Sequence, residues 1–201
     1  AAGKFLIVAP NSQTTIDALE KVQATFNDWF LEYSYGQSGL GLAWETASCN
    51  DFVTSKDKAG FKNLMTRLHQ KLERSKYQHF DLCGENCAKP VFENYLDSFK
   101  NDWGVCQLND KAPAANENKI SVLAQDQINI GTWLIKHQRL VITLNSISDK
   151  SLKIPLFGYH IYFTAEEDRS GKFSAEVKSG NIRRVFDFSP AKNEKQALWN
   201  G

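Results

Sequence analysis

From Phe5 to Ala9 the chain is continuously apolar and rich in β-formers, the pattern of a strand covered on both faces. Pro10 cannot donate to a ladder and Asn11-Ser12 is turn chemistry, so the strand is expected to stop there. Thr14, with Asp17 three residues on, then offers a helix N-cap, and a helix is predicted from about Thr15. Ile16, Leu19, Val22, Phe26, Trp29, Phe30 and Tyr33 recur at three- and four-residue steps, while Asp17, Glu20, Lys21, Gln23, Asn27 and Asp28 fill the other side. After a loop at 35–39, Leu40 to Thr46 alternates large and small residues at period two and reads as a second strand. Gly39, Gly41 and Ala43 leave one of its faces shallow enough for a helix to approach closely. Phe61, Leu64, Met65, Leu68 and Leu72 trace a second helical stripe from about Lys58.

Residues 4–75 therefore read strand-helix-strand-helix, the second half of a ferredoxin-like palm whose earlier strands are absent. A strand covered on both faces needs hydrogen-bonded neighbours on both sides. The expectation is thus a truncated chain, with Ala1-Ala2-Gly3 as the second half of a tight turn and a missing upstream strand pairing beside Phe5–Ala9.

Further along, Val91, Phe92, Tyr95, Leu96 and Phe99 predict a short helix from about Pro90 to Asn101, and Lys111 to Lys119 predicts an exposed loop. Strands are predicted at Arg139–Leu144, Tyr159–Thr164, Lys172–Val177 and Ile182–Phe188, joined by polar turns as an antiparallel meander. The fold class is α+β: an incomplete palm over 1–76, a helix-and-loop connector over 77–119, and an antiparallel β-rich unit with its tail over 120–201.

Charge changes this picture little. Lys and Arg number 24 against 23 Asp and Glu, so a net +1 supplies no broad attraction to nucleic acid or membrane, and any RNA contact has to be local. The second helical stripe does concentrate Lys56, Lys58, Lys62, Arg67, Lys71, Arg74 and Lys76. That run is either a solvated face or a contact for RNA phosphates or an acidic partner subunit. No apolar run is long enough to span a bilayer and nothing resembles a signal peptide, so a cytoplasmic protein is expected. Four scattered cysteines, Cys49, Cys83, Cys87 and Cys106, do not form a secreted disulfide framework. Cys83 and Cys87 permit half of a zinc site that Cys106 with His69 or His79 can complete only if folding brings them together.

Ala2-Gly3-Lys4-Phe5, then Ala9-Pro10-Asn11, then a helix carrying Trp29-Phe30, resembles the first palm domain of the large signature subunit of type III CRISPR effector complexes, the III-A form in particular. The resemblance implies RNA-guided antiviral interference, in which paired palms convert ATP to cyclic oligoadenylate with magnesium or manganese and an HD nuclease sometimes cleaves DNA. Neither the GGDD motif of the second palm nor an HD motif occurs in this chain. The family also commonly carries two Cys-x-x-Cys knuckles after the palm. Here Cys106-Gln107-Leu108-Asn109, followed by Pro113-Ala114, looks like the first with its second cysteine replaced by asparagine, and the second pair is missing. Ile130-Gly131, Leu134 and Leu140-Val141-Ile142 fit the sequel. Zinc is not expected.

By the same resemblance Ala2, Gly3 and Lys4 stand where the other palm places its carboxylates. Residues 1–16 hold no carboxylate, so a two-metal site is excluded there, and backbone contact to a nucleotide or an ordinary turn remain. Lys62, Lys71, Arg74, Arg183 and Arg184 are the candidates for contact with RNA or a neighbouring subunit. His69, His79, His137 and His160 lack paired-ligand spacing, and Glu166-Glu167-Asp168 reads as a solvated hairpin tip. The expected role is a non-catalytic fragment that scaffolds the ATP pocket and contacts other subunits, guide RNA, target RNA and the missing upstream part of the same protein. A stand-alone RNA-binding module and an active cyclase-like palm are the alternatives.

Overall fold

The structure, a computed structural model, describes residues 3–55, 58–78, 80, 95–147, 151–164 and 172–188. Cys83, Cys87, His79 and Glu166 to Asp168 lie outside them, as does the start of the helix expected from Pro90. The chain divides into two compact units, Ala1–Glu93 and Asn94–Gly201, and is α+β.

In the first unit α1 spans Gln13–Ser34, starting slightly before the predicted position because Ser12, not Thr14, is the cap: its hydroxyl accepts from Thr15 N–H at 3.3 Å. α1 ends where Tyr35 turns left-handed at φ 53° and Gly36 N–H reaches back to Phe30 C=O at 3.2 Å. A 3-10 turn at Cys49–Phe52 is closed by Asp51, whose Oδ2 accepts from the Ser48 N–H and hydroxyl. A minimal hairpin of β1 (Thr54–Ser55) and β2 (Lys58–Ala59) leads into α2, Gly60–Tyr77, close to the predicted second helix. Gly60 is required where it stands, since a Cβ there would come within 2.9 Å of the Asn50 carbonyl oxygen.

The two predicted palm strands do not form. Phe5–Ala9 and Leu40–Thr46 belong to no ladder, and instead of being covered on both faces Phe5, Ile7 and Val8 are 77%, 74% and 76% exposed. The reason is a lack of neighbours: apart from Ser12 N–H to Pro10 C=O, residues 3–12 make no backbone hydrogen bond to the other described residues outside the start of α1. One detail of the second segment is as expected. Gly41 lies so close to α2 that a Cβ would meet Ser75 Oγ at 3.0 Å and Leu72 Cδ1 at 3.6 Å. With no sheet over the helices the unit buries little, and among its described apolar residues only Leu64 is buried.

The second unit opens with a 3-10 turn, Asp97–Phe99, at the end of the predicted Pro90–Asn101 helix, followed by a tightly hydrogen-bonded loop. That loop is not simply exposed, because Ala112 and Ala114 are buried in it. α3 spans Val122–Lys136, a helix the apolar pattern did not predict. β3 (Arg139–Thr143), β4 (His160–Thr164) and β5 (Ile182–Asp187) match three predicted strands, and all pair antiparallel.

The sheet is not a meander: its order is β4-β3-β5, so the chain crosses from one edge to the other after β4. The fourth predicted strand is the helix α4, Lys172–Lys178. Its Phe-Ser-Ala-Glu-Val alternation imitates a strand, but Val177 is 57% exposed and no ladder exists to hold it, so the Lys, Ala and Glu helix propensities decide. The core sits on one sheet face, where Leu152, Ile161 and Phe163 pack with Leu140, Ile142 and the α3 residues Ile130 and Trp133.

Candidate functional site

Charge gathers on one side of α2. Arg67, Lys71 and Arg74 follow one another at helical steps of four and three and, with Gln70 and Glu45, line an open depression of about 330 Å³. Gly41 allows the segment carrying Glu45 to lie against the helix, and Glu45 then binds both Arg67 Nε at 3.0 Å and Lys71 Nζ at 2.7 Å. Arg67 also faces Asp51 Oδ1 at 3.6 Å, and Lys71 lies 3.4 Å from the Trp44 carbonyl. The basic run is thus partly neutralised from within: two of the three cations on this row already hold carboxylates, and among the described residues Arg74 has no carboxylate partner. Glu45 ends a segment read only for its large-small alternation, so its role was missed. Its signal was a lone acid among apolar residues, with two cations four residues apart on the next helix.

The Lys71 bond, then the Arg67 bond, hold the Glu45 carboxyl below its ordinary value. Asp51 is lowered by the Ser48 backbone and hydroxyl bonds, and Glu73 by Lys76, which it meets at 2.6 Å. Groups more acidic in the folded state stabilise it fully above the unfolded carboxyl value, 4.5 for glutamate, and lose that contribution as pH falls through the depressed folded value. The denaturation midpoint of this unit should therefore hold from neutrality down to that value and decline below it, with Glu45→Gln making the decline shallower. The effect is small because the cations are largely exposed. A midpoint rising on acidification would contradict it.

The other candidates are dispersed. Ala2 lies outside the described residues. Gly3 has nothing within 4 Å of a Cβ position, and Lys4 Nζ only grazes Glu73 at 4.0 Å, so neither faces a preformed pocket. Lys62 lies exposed on α2, outside the residues that line the depression. Arg183 and Arg184 are exposed on opposite faces of the edge strand β5, in the other unit. Among the described residues no three His, Cys, Asp or Glu side chains gather as a metal would need.

Residues 1–92 match the family model described as Csm1 subunit domain B, and the match ends beside the boundary between the two units, after residue 93. Over residues 1–92 the chain is similar to Csm1 subunit domain B. This supports the large signature subunit of a type III-A CRISPR effector complex, a protein that works with other subunits. No curated protein and no solved structure matches the chain. The α2 depression, Gly3 and Lys4 lie inside the Csm1 match, whereas the Cys106 loop, Arg183 and Arg184 lie beyond it. No helix among the described residues is long and apolar enough to cross a membrane.

Proposed function

We propose that this chain is a non-catalytic part of its effector subunit, a scaffold on which the ATP-binding palm pair of the complex is assembled. The observation that carries this is Phe5–Val8, apolar, exposed on both faces and without ladder partners, beside helices that bury only Leu64 of the unit's described apolar residues. Such a segment is a template for strand addition, and the main chain of an added strand satisfies its N–H and C=O groups while the sheet covers α1 and α2. In this reading the segment and Leu40–Thr46 take strand positions in a palm sheet that another segment completes.

No acidic side chain lies between residues 3 and 16, so the segment has no ligand for a catalytic magnesium or manganese ion, and Gly3 and Lys4 touch nucleotide only through the main chain or a single ammonium. Incubated with ATP and either metal, the chain alone is expected to give no cyclic oligoadenylate; product formation would favour the cyclase alternative.

Lys62, Lys71, Arg74, Arg183 and Arg184 are the points at which RNA phosphate or an acidic neighbouring subunit makes contact. The Glu45 and Asp51 pairs leave too little free charge for strong RNA binding by the isolated chain. Filter binding to single-stranded RNA at two salt concentrations should therefore show weak association, with Kd about 10⁻⁴–10⁻⁶ M. Submicromolar binding with steep salt dependence would overturn the scaffold in favour of a stand-alone RNA-binding module.

A further inference from the structure

The loop from Gly104 to Ser121 is folded around one sulfur. Cys106 is completely buried. Its N–H donates to Ala112 C=O and its C=O accepts from Asp110 N–H, both at 2.9 Å, in a hairpin closed by the bridge between Val105 and Pro113. Asp110, at φ 51°, turns the chain. The backbone N–H groups of Leu108 and Asn109 and the N–H and hydroxyl of Ser121 favour the thiolate form of the buried Cys106 sulfur. Three residues after the cysteine, Asn109 Oδ1 accepts from Lys111 N–H at 3.2 Å and Ala112 N–H at 3.1 Å.

The Asn109 bonds have the pattern of a metal knuckle, in which each of two thiolates three residues apart accepts N–H groups from two and three positions further on. The metal in such a turn neutralises the sulfurs and ties the hairpin to a second one. Here the first position keeps its sulfur, buried in the loop, and the carboxamide oxygen of Asn109 takes the two N–H groups that a second thiolate would accept. The tie to the following turn is made by Gln107 N–H to Lys119 C=O at 2.9 Å and by Ser121, whose hydroxyl also accepts from Ala124 N–H at 3.2 Å and so joins the loop to the start of α3. Among the described residues the loop offers one thiol, an amide oxygen and a hydroxyl, a poor set for zinc, which takes thiolate, imidazole and carboxylate.

We propose that the turn at 104–121 is a metal-independent knuckle, in which Asn109 and Ser121 supply by hydrogen bonding the closure that thiolates and a metal ion supply elsewhere. Burial pushes the Cys106 thiol up, but the bonds from Ser121, Leu108 and Asn109 together outweigh it and leave the group more acidic than usual, as expected of a sulfur surrounded by donors. The inference concerns the second unit only and stands whether or not the scaffold reading holds.

The test is thermal unfolding of the full chain with and without a strong zinc chelator, alongside Asn109→Ala and Asn109→Asp. The expected result is a melting temperature indifferent to chelation, lowered by about 4–8 °C in Asn109→Ala and near that of the parent in Asn109→Asp, which keeps an acceptor oxygen. If Asn109→Ala does not fold, the chelation result and Asn109→Asp still decide. A chelator-induced drop that Cys106→Ser abolishes would overturn the proposal, as would an Asn109→Ala protein as stable as the parent.

Discussion

Replacing Phe163 with alanine is expected to cost the second unit about 3–5 kcal/mol, the range for emptying a well-packed aromatic site. Phe163 is 1% exposed, sits on β4 opposite Leu140 of the central strand β3, and stacks on Trp133 of α3 with ring centroids 5.6 Å apart. Removing the ring therefore detaches the helix from the sheet as well as opening a cavity, and partial collapse cannot fill it from three directions at once. Against a total stability that for a domain of this size is about 5–15 kcal/mol, the loss is enough to leave the unit barely folded. Urea denaturation followed by the fluorescence of a variant that keeps Trp133 as its one tryptophan should show a large fall in midpoint. Val185→Ala, on the edge strand β5 and 50% exposed, should change it by about 0.5 kcal/mol or less. Equal effects at the two positions would mean that the core is not where β3, β4 and α3 meet.

The second large effect should come from Asp126. Its carboxylate is buried on α3 and accepts from Lys153 N–H at 3.1 Å and Ile154 N–H at 2.8 Å, fastening the loop before β4 to the helix. Asp126→Ala leaves two backbone donors without an acceptor at about 1–3 kcal/mol each, so a loss near that for Phe163 is expected by a different mechanism. Asp126→Asn should fall between the two, since its oxygen can serve one N–H while its amide group faces the other. A stability for Asp126→Asn no better than for Asp126→Ala would show that charge, not the count of acceptors, holds the loop.

Both residues show what the linear pattern conveys. Phe163 was legible: period-two alternation placed Ile161 and Phe163 on one face of a strand, and both are core residues. Asp126 was not, because α3 has no clean apolar stripe: it buries a carboxylate at Asp126 and leaves Ile135 88% exposed. Its best signal was Ser121, which caps the helix at Ala124 N–H. At the α2 depression the cations could be read directly, but the acid that neutralises them could not, since Glu45 reaches Arg67 across 22 residues of chain.

Local chemistry along the chain is sufficient for α1, α2, β3, β4 and β5, because caps, turns and short-period hydrophobicity act between residues near one another in sequence. The same local patterns carried the resemblance now supported by the Csm1 domain match over residues 1–92. Long-range packing alone decided that β3 lies between β4 and β5, that Lys172–Lys178 has no ladder and is left to its own helix propensity, and that Phe5–Ala9 stays without a ladder. A strand is defined by its hydrogen-bonded neighbours, and no run of apolar residues, however suited to β structure, specifies whether those neighbours are present.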